Sequence, residues 1–458
     1  MSTAPPAPEG RQVVIIGGGV SGVALTIHML TLGAARVAIV ERREGLGRGP
    51  AYGTSDPALR LNVPGARMSL FPERPGDFLE WARAHADWSA DEFLPRRLFG
   101  AYVEARLADA ARAAPGRLAF FRSEAVDADT RRVTLADGTA LACDAVVLAT
   151  GNQLPAAPAA FDAALLASPR VVGDPWADGA LSRVAADESV LLIGTGLTAV
   201  DVLLALHNHG HRGQLVAVSR HGLLPRPHLP ADDPGRRPFT LAGELPRDVV
   251  GLCRRLRAEV RRAAADGVAW QSVIDALRPH TTSVWRSLPL SERRRFMTAV
   301  RPYWEVLRHR AAPDLLARIA AWRRDGRLEI LAASVAAARE QDGVLVDLRP
   351  RRGPAQRRRF DRVVLCTGPQ TDVRRWPGEL YRRLLAAGEL VGDPLGLGVV
   401  TDESGRVQDA AGRPSSWLFA LGALRRPHLW ETTAVPDIVR HALALARLLT
   451  TRECDDLY

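Results

Sequence analysis

Apolar runs alternate along the chain with apolar residues at helical spacing, and this order predicts the same unit twice. An apolar run at residues 13–16 is followed by a helical pattern and by a second run at 37–40. The order returns at residues 189–193, 201–206 and 214–218. A short apolar run before helical periodicity is typical of a buried parallel strand and its crossover helix. The pattern therefore predicts two strand–helix–strand units.

Each unit is followed by short predicted strands, the last of which ends in small residues. The first group closes with Thr150 and Gly151, and the second with Thr367 and Gly368, and we predict that these four residues contact a cofactor. Chance does not easily repeat a Rossmann half, a β-meander and a small-residue strand end in one order. The predicted fold class is α/β, with two Rossmann-like dinucleotide-binding domains, each with a β-meander, plus a helical insertion.

The first unit carries a G-x-G-x-x-G turn at Gly17, Gly19 and Gly22. One glycine makes the tight turn, the next admits a pyrophosphate, and the third lets helix and strand pack closely. Ser21 lies inside this turn, and Glu41 ends the second strand, where a carboxylate can accept hydrogen bonds from ribose hydroxyls. We predict that all five residues bind a dinucleotide.

The second unit carries the variant G-x-G-x-x-A at Gly194, Gly196 and Ala199. Its following strand ends in Ser219 and Arg220 rather than in an acid. A serine and an arginine favour a 2′-phosphate, whereas an acid would repel it. The second site is therefore predicted to prefer NADPH to NADH; the alternative is a surface pair with no ligand.

Composition narrows the function classes. The formal net charge is +10, but all 61 basic residues are arginines and they are scattered among acids, so nucleic acid is not predicted as a partner. Because the chain has no lysine, it can have neither a lysine that forms a Schiff base nor a Walker A nucleotide-binding site. The four cysteines lie far apart in sequence, which favours a reduced, cytoplasmic protein without a disulfide framework or zinc site.

Neither a membrane span nor a signal peptide is predicted. No apolar run reaches membrane-spanning length without a charge. The first residues, "MSTAPPAPEGR", have no basic region followed by an apolar one, so we expect a short disordered lead-in.

The motifs resemble those of a known family. "GGGVSG", "ATG", "GTGLTAVD" and "CTGP" occur in the order found in FAD/NAD(P)-binding flavoproteins with two Rossmann domains, and among these in the flavin-containing monooxygenases. Longer stretches such as "LRLNVPGARMSLF" and "LWETTAVPDI" resemble a bacterial group near amino-acid N-oxygenases, some of which convert aspartate to nitrosuccinate. The resemblance implies FAD in the first site and NADPH in the second. The F-x-G-x-x-x-H-x-x-x-Phe/Tyr fingerprint of Baeyer–Villiger and typical flavin-containing monooxygenases is absent.

The domain division follows from this assignment. Residues 1–165 and 370–458 are predicted to form the FAD-binding domain, and residues 166–225 and 326–369 the NADPH-binding domain. Residues 226–325 are predicted to form a helical insertion, which could act as a substrate lid.

The resemblance also implies roles near the flavin. Asn62 matches the family's asparagine near the reactive flavin carbon, where an amide can donate without carrying a charge; an Asx-turn before Pro64 is the alternative. Arg48 is a candidate partner of the FAD pyrophosphate, or else a solvated arginine. In the family the last helix points its N-terminus at the flavin pyrimidine.

The stretch before that last helix supplies the remaining candidates. Thr432 and Thr433 are predicted to cap the helix and, with Gly422, to contact the cofactor. Glu431 is predicted either to orient or deprotonate a substrate amine or to be only a helix-start acid.

The leading functional hypothesis is an NADPH-consuming flavin monooxygenase. By resemblance, it would form a flavin C4a-hydroperoxide from FAD and O₂ and oxygenate a small nucleophile, most simply the amine of an amino acid such as aspartate. The alternatives are an NADPH-dependent flavin reductase or oxidase with another acceptor, and a redox-sensing protein without turnover. Expected partners are a small-molecule substrate and O₂, with neither nucleic acid nor membrane; a homo-oligomer is possible.

Overall fold

The computed structural model describes residues 11–33, 35–54, 56–57, 59–177 and 179–451. Most of the predicted disordered lead-in, and Cys454, lie outside the described residues.

Sixteen strands are described, and nearly all of the apolar runs of the sequence are among them. In chain order they are β1 Arg11–Ile16, β2 Ala35–Val40, β3 Leu118–Phe121, β4 Ala125–Ala128, β5 Arg132–Leu135, β6 Ala140–Ala142, β7 Ala145–Leu148, β8 Val171–Val172, β9 Val190–Ile193, β10 Leu215–Ser219, β11 Leu328–Glu340, β12 Val344–Pro350, β13 Gln356–Phe360, β14 Arg362–Leu365, β15 Arg406–Gln408 and β16 Pro414–Ala420.

Fifteen α-helices are described. They are α1 Val20–Leu32, α2 Gly49–Tyr52, α3 Asp77–Arg83, α4 Arg96–Ala113, α5 Ala163–Ala167, α6 Leu197–Asn208, α7 Val249–Ala265, α8 Trp270–Leu277, α9 Thr281–Ser287, α10 Leu290–Arg295, α11 Arg301–Arg308, α12 Pro313–Arg324, α13 Glu379–Ala386, α14 Arg426–Leu429 and α15 Val435–Thr450. Short 3₁₀ turns lie at Gly65–Arg67, Arg278–His280, Val373–Arg375 and Gly422–Arg425, and a π-helical turn at Phe296–Val300.

The first sheet has the order β15-β16-β7-β1-β2-β3, with β1 parallel to both of its neighbours. Successive side chains of a strand point to opposite faces. Ile15 accordingly packs with α1, α4 and α15, whereas Val14 packs with the small β4-β5-β6 sheet and α13. Both faces are covered, which explains why β1 is a continuous apolar run.

The second sheet has the order β13-β12-β11-β10-β9-β14-β8. Leu192 packs against α6 and α12 on one face, and Leu191 packs on the other. β11 pairs parallel with β10 through its first half and antiparallel with β12 through its second. The second β-meander is therefore part of its Rossmann sheet, whereas the first forms a sheet of its own.

The helices between the two halves of the second unit form a separate core. Trp285 and Trp304 pack there with Leu397 and Trp430, so this core rests on the C-terminal part of the first unit. α12 behaves differently, since its apolar face joins the core of the second sheet. The predicted insertion, residues 226–325, includes this helix, because an amphipathic helix in the sequence does not reveal which layer it covers.

Candidate functional site

A cavity of about 550 Å³ lies at the carboxyl end of the first sheet, where the ends of β1, β2 and β7 meet. This is the position at which parallel α/β sheets bind ligands. Several predicted cofactor-binding residues line it: Gly17, Gly19, Ser21, Glu41, Arg48, Thr150, Gly151, Thr432 and Thr433. Residues from both ends of the chain are thus brought to one cavity.

The geometry of the first turn explains its glycines. Gly17 has a φ of +113°, and a Cβ there would overlap the backbone of Ala149. A Cβ on Gly22 would overlap the carbonyl oxygen of Gly17, so only glycine lets α1 pack against the turn. Nothing lies within 4 Å of a Cβ on Gly19, which leaves open space on the side that borders the cavity.

Glu41 is fixed at the rim of the cavity. Its carboxylate accepts hydrogen bonds from the backbone N–H of Gly18 at 2.9 Å and of Arg43 at 3.0 Å. The carboxylate has accepting capacity to spare, because each oxygen carries two lone pairs.

Arg48 lines the cavity, and its guanidinium is held by an ion pair rather than free in solvent. Its Nε and Nη2 donate to the two oxygens of Glu104 at 2.6 and 2.7 Å. The hydrogen bond to Glu104 raises the pKa of the Arg48 guanidinium. The bidentate geometry fixes the plane of the guanidinium beside the cavity.

Sequence reasoning did not identify Tyr381, which reaches the cavity from α13. Its hydroxyl lies 2.6 Å from the Thr150 hydroxyl, and burial raises the pKa of the phenol, so it stays protonated. Trp376 lines the cavity beside it. The 231 residues between Thr150 and Tyr381 leave no local pattern that could have revealed this contact.

The predicted capping of the last helix is wrong. α15 begins at Val435, its cap is Ala434, and Pro436 lies in the first turn. Proline is preorganised for that position and sets the helix start. Thr432 instead donates to the carbonyl of Gly422 at 2.8 Å, and Thr433 is exposed. Both threonines still line the cavity.

Gly422 supports the cavity from behind rather than lining it. Its φ is +72°, and a Cβ there would lie 2.6 Å from Ser21 Oγ. The close approach brings the C-terminal segment against the first glycine turn.

The second turn repeats the geometry of the first. Gly194 has a φ of +125°, and a Cβ there would overlap the carbonyl of Cys366, at the end of β14. Gly196 has open space around it, and Ala199 is buried in the core behind the turn. None of these three residues lines the 550 Å³ cavity, so the two turns form separate sites.

The end of β10 shows which predicted group is available to a ligand. The Ser219 hydroxyl lies 2.8 Å from that of Thr195, which itself donates to the Leu223 carbonyl. The single proton of Ser219 is therefore directed to Thr195 and not outward. Arg220 is exposed, and Arg351 donates to Nδ1 of the neighbouring His221 at 3.1 Å. Sequence reasoning missed Arg351.

Thr367 and Gly368 lie at the crossing between the two units. The Thr367 hydroxyl donates to the Ala156 carbonyl at 2.7 Å, and Ala156 N–H donates to the Gly368 carbonyl at 3.1 Å. Gly368 has a φ of +81°. These two hydrogen bonds hold the segment that follows β14 against Ala156.

Asn62 does not line the cavity. The structure describes no hydrogen bond of its side chain, so the Asx-turn that the sequence offered as an alternative is not formed. Its carbonyl accepts from His228 Nε2 at 2.8 Å. Burial, then Arg310, lowers the pKa of His228 to about 4, so the ring is neutral at pH 7. Because a carbonyl only accepts, Nε2 carries the proton.

Glu431 is buried next to the cavity residue Thr432, and its partner is Arg308, not the helix. Arg308 Nη2 lies 3.3 Å from Oε2, and Nε lies 3.3 Å from Oε1. The preceding Trp430 has φ 60° and ψ −59°, and Glu431 N–H bonds across it to Leu429 at 2.7 Å. This is a strained γ-turn, of the kind that persists where its surroundings enforce it.

A comparison with known protein families supports the prediction that the first unit binds a dinucleotide. Residues 14–153 match the model of a family described as FAD-NAD(P)-binding. No curated protein matches the chain.

Solved structures share the fold over nearly the whole chain. An ornithine N-hydroxylase of Kutzneria sp. 744 is 16% identical, with a TM-score of 0.64 over 97% of this chain and 100% of that one. DfoA, the cadaverine monooxygenase of Erwinia amylovora, is 16% identical, with a TM-score of 0.65 over 98% and 96%. Thioredoxin reductase of Lactococcus lactis is 12% identical, with a TM-score of 0.53 over 96% and 97%. The predicted fold class, α/β with two Rossmann-like units, is confirmed. Among the described helices, none combines the length and apolar character that crossing a membrane requires.

Proposed function

We propose that this chain is an FAD-dependent, NADPH-consuming monooxygenase that oxygenates the amine of an amino acid. The observation that carries the proposal is the cavity shared by the first glycine turn, the end of β7 and the start of α15. Two similar structures support it: the Kutzneria hydroxylase is described with reduced FAD, NADP⁺ and L-ornithine, and DfoA as bound to FAD.

The residues around the cavity fit FAD. The N-terminus of α1 offers backbone N–H groups to a pyrophosphate, with Arg48 beside it. Glu41 would accept from ribose hydroxyls, and the start of α15 would stabilise negative charge on the reduced ring. When bound, FAD supplies the redox chemistry that accepts a hydride and activates O₂. In this proposal, the strands of the first sheet belong to the FAD-binding domain and those of the second to the NADPH-binding domain.

The second turn would hold NADPH. Gly194 and Gly196 leave room for its pyrophosphate, and Arg220 and Arg351 would bind the 2′-phosphate. Ser219 contributes by shaping the turn, because its hydroxyl is bonded internally.

A disulfide-reductase function is disfavoured although thioredoxin reductase shares the fold. The described cysteines, Cys143, Cys253 and Cys366, are all free. Burial raises the pKa of Cys143 to about 12 and raises that of Cys366 as well, so both remain thiols at neutral pH. We propose a cytoplasmic enzyme whose partners are O₂ and a small-molecule amine, and leave homo-oligomer formation as a prediction.

Product analysis tests the function directly. The FAD-loaded protein is incubated with NADPH, O₂ and a panel of amino acids and diamines, and oxygenated amine and hydrogen peroxide are measured against NADPH consumed. We expect at least one amine to convert most of the NADPH into oxygenated product. If every amine leaves only peroxide, the chain is an oxidase and the monooxygenase proposal fails.

Changing Arg220 to alanine should affect NADPH far more than NADH. We expect the KM for NADPH to rise about tenfold or more, since a charge-assisted contact contributes about 1.5–3 kcal/mol, and the KM for NADH to stay nearly constant. Arg324→Ala, in an exposed position of α12, is the matched control. Equal effects of Arg220→Ala on the two nucleotides would contradict the assignment of the 2′-phosphate.

A further inference from the structure

One wall of the 550 Å³ cavity does not come from the glycine turn or from the strands beside it. It is formed by residues of α13 and of the segment that joins β14 to α13, namely Trp376, Pro377, Gly378, Leu380 and Tyr381. β14 is a strand of the second sheet, so the chain reaches this wall only after it has left the second unit. We call the two rings of Trp376 and Tyr381 the aromatic wall.

The segment that carries the aromatic wall reaches the end of the cavity where Glu41 lies. The backbone N–H of Ser123 donates to the Glu41 carbonyl at 3.2 Å, and both Ser123 and Glu124 line the cavity. A Cβ on Gly378 would lie 4.0 Å from Oε1 of Glu124. In dinucleotide-binding units the acid after the second strand binds the ribose of the adenosine half, and the pyrophosphate lies at the glycine turn. The base therefore belongs beyond Glu41, at the end that Gly378 borders.

The fold itself holds the aromatic wall in place. The N–H of Gln370 donates to the Leu154 carbonyl at 3.0 Å, and Nε1 of Trp376 donates to the Gln370 carbonyl at 2.9 Å. On α13, Arg383 donates to Asp127 of β4 at 2.8 Å. A surface that is already ordered loses little conformational entropy when a ligand binds to it.

The aromatic wall offers ring surface and no polar group. The one side-chain donor of Trp376 is used by Gln370, and the Tyr381 hydroxyl lies 2.6 Å from the Thr150 hydroxyl. The two rings pack edge to face with their centroids 4.6 Å apart, and both border the cavity. Ring surface whose polar atoms are already satisfied fits a planar aromatic base. The flavin ring is assigned above to the start of α15, so the base that remains is adenine.

We propose that the aromatic wall binds the adenine of FAD and that Trp376 makes the first unit select FAD over FMN. The inference rests on the proposed function, which assigns FAD to this cavity. FMN carries the flavin ring and a phosphate but no adenosine, so it leaves the aromatic wall uncovered. The glycine turn accepts a phosphate of either cofactor and does not distinguish them. The selection therefore depends on a segment that follows the second unit.

Flavin binding tests the proposal without turnover. The full-length protein is stripped of flavin and titrated with FAD and with FMN, and flavin fluorescence gives each Kd. We expect the parent to bind FAD much more tightly than FMN. Trp376→Leu should raise the Kd for FAD about tenfold or more, as expected for the loss of base–aromatic stacking, and leave the Kd for FMN unchanged. The proposal is wrong if the parent binds the two flavins equally well, or if Trp376→Leu binds FAD as tightly as the parent.

Trp417→Leu is the matched control. Trp417 of β16 is 6% exposed and packs in the same core as Trp376, which is 9% exposed, but it does not line the cavity. Its replacement should leave both Kd values nearly unchanged. If it weakens FAD as much as Trp376→Leu does, the effect comes from the shared core and the proposal fails.

Trp376→Phe keeps the test decisive if the leucine variant does not fold, which circular dichroism would reveal. The smaller ring retains part of the stacking surface, so this variant should bind FAD more weakly than the parent and FMN equally well. A loss of the same size for both flavins would mean that Trp376 only supports the cavity.

The outcomes also separate this inference from the proposed function. If amines are oxygenated but Trp376→Leu retains the parent's affinity for FAD, the function stands and the adenine site fails. If Trp376→Leu loses affinity for FAD alone while no amine is oxygenated by the parent, the adenine site stands and the monooxygenase function fails.

Discussion

Replacing Gly22 with alanine should yield a protein that no longer retains FAD. The added Cβ would overlap the carbonyl oxygen of Gly17 and lie 3.2 Å from Ile15 Cγ2, so α1 must move away from β1. Overpacking of this kind costs about 1–3 kcal/mol, and backbone offers less room to adapt than side chains do. Because the start of α1 forms one wall of the cavity, the same shift removes the N–H groups on which the pyrophosphate would rest.

The flavin absorbance of the purified protein, relative to its absorbance at 280 nm, measures this loss. Gly173→Ala is the matched control, since Gly173 has an ordinary φ and nothing within 4 Å of an added Cβ. We expect Gly173→Ala to keep full FAD content and Gly22→Ala to lose most of it. Gly19 has open space around it, so Gly19→Ala should leave the apoprotein as stable as the parent but weaken the binding of FAD. Normal FAD content in Gly22→Ala would contradict the role given to the close packing.

The parts of the fold that could be predicted from sequence are those whose cause is local. Gly17 and Gly194 both sit at a positive φ after a buried strand, and a fixed spacing of glycines is enough to reveal each. Strand ends such as Thr150 follow from the apolar run before them. The residue spacing that reveals these features lies within one strand–turn–helix unit, and a single sequence contains it.

The parts that could not be predicted depend on contacts between distant segments. Arg308 meets Glu431 across 123 positions, and Thr150 meets Tyr381 across 231. An arginine or tyrosine on a helix has no local mark of such a partner. The capping prediction for Thr432 and Thr433 failed for a different reason: Pro436 fixes where α15 starts, and Thr432 is used by Gly422. Capping propensity is a weak preference that tertiary contacts override.

Replacing Arg96 with methionine should destabilise the protein more than any other single charge deletion discussed above. Arg96 lies at the start of α4, and its Nη2 is 2.8 Å from Oδ2 of Asp201 in α6; the two side chains are 13% and 8% exposed. The pair thus joins the first unit to the helix of the second glycine turn. Removing one member of a buried pair leaves the other charge uncompensated, at a cost of about 3–5 kcal/mol.

The effect should depend on pH with a definite sign. Burial raises the pKa of Asp201 to about 6 even with Arg96 present, against 3.8 for the exposed group. The folded protein therefore binds this proton more tightly than the unfolded chain, and the stability contribution of Asp201 falls as pH rises from about 4 to 6. Without Arg96 the folded pKa rises further. We expect urea unfolding to show a smaller deficit for Arg96→Met at pH 5.5 than at pH 8.

Two further variants show whether the cost comes from the buried charge itself. Arg112→Met removes an exposed partner of Asp109 on the same helix, with side chains 75% and 45% exposed, and should change stability by less than about 1 kcal/mol. The double variant Arg96→Met, Asp201→Leu replaces both charges with apolar groups and should recover most of the loss, because no unpaired charge remains. If the double variant is no more stable than Arg96→Met alone, the deficit comes from lost packing between the two units, and the orientation of the second nucleotide site would then depend on the shape of Arg96 rather than on its charge.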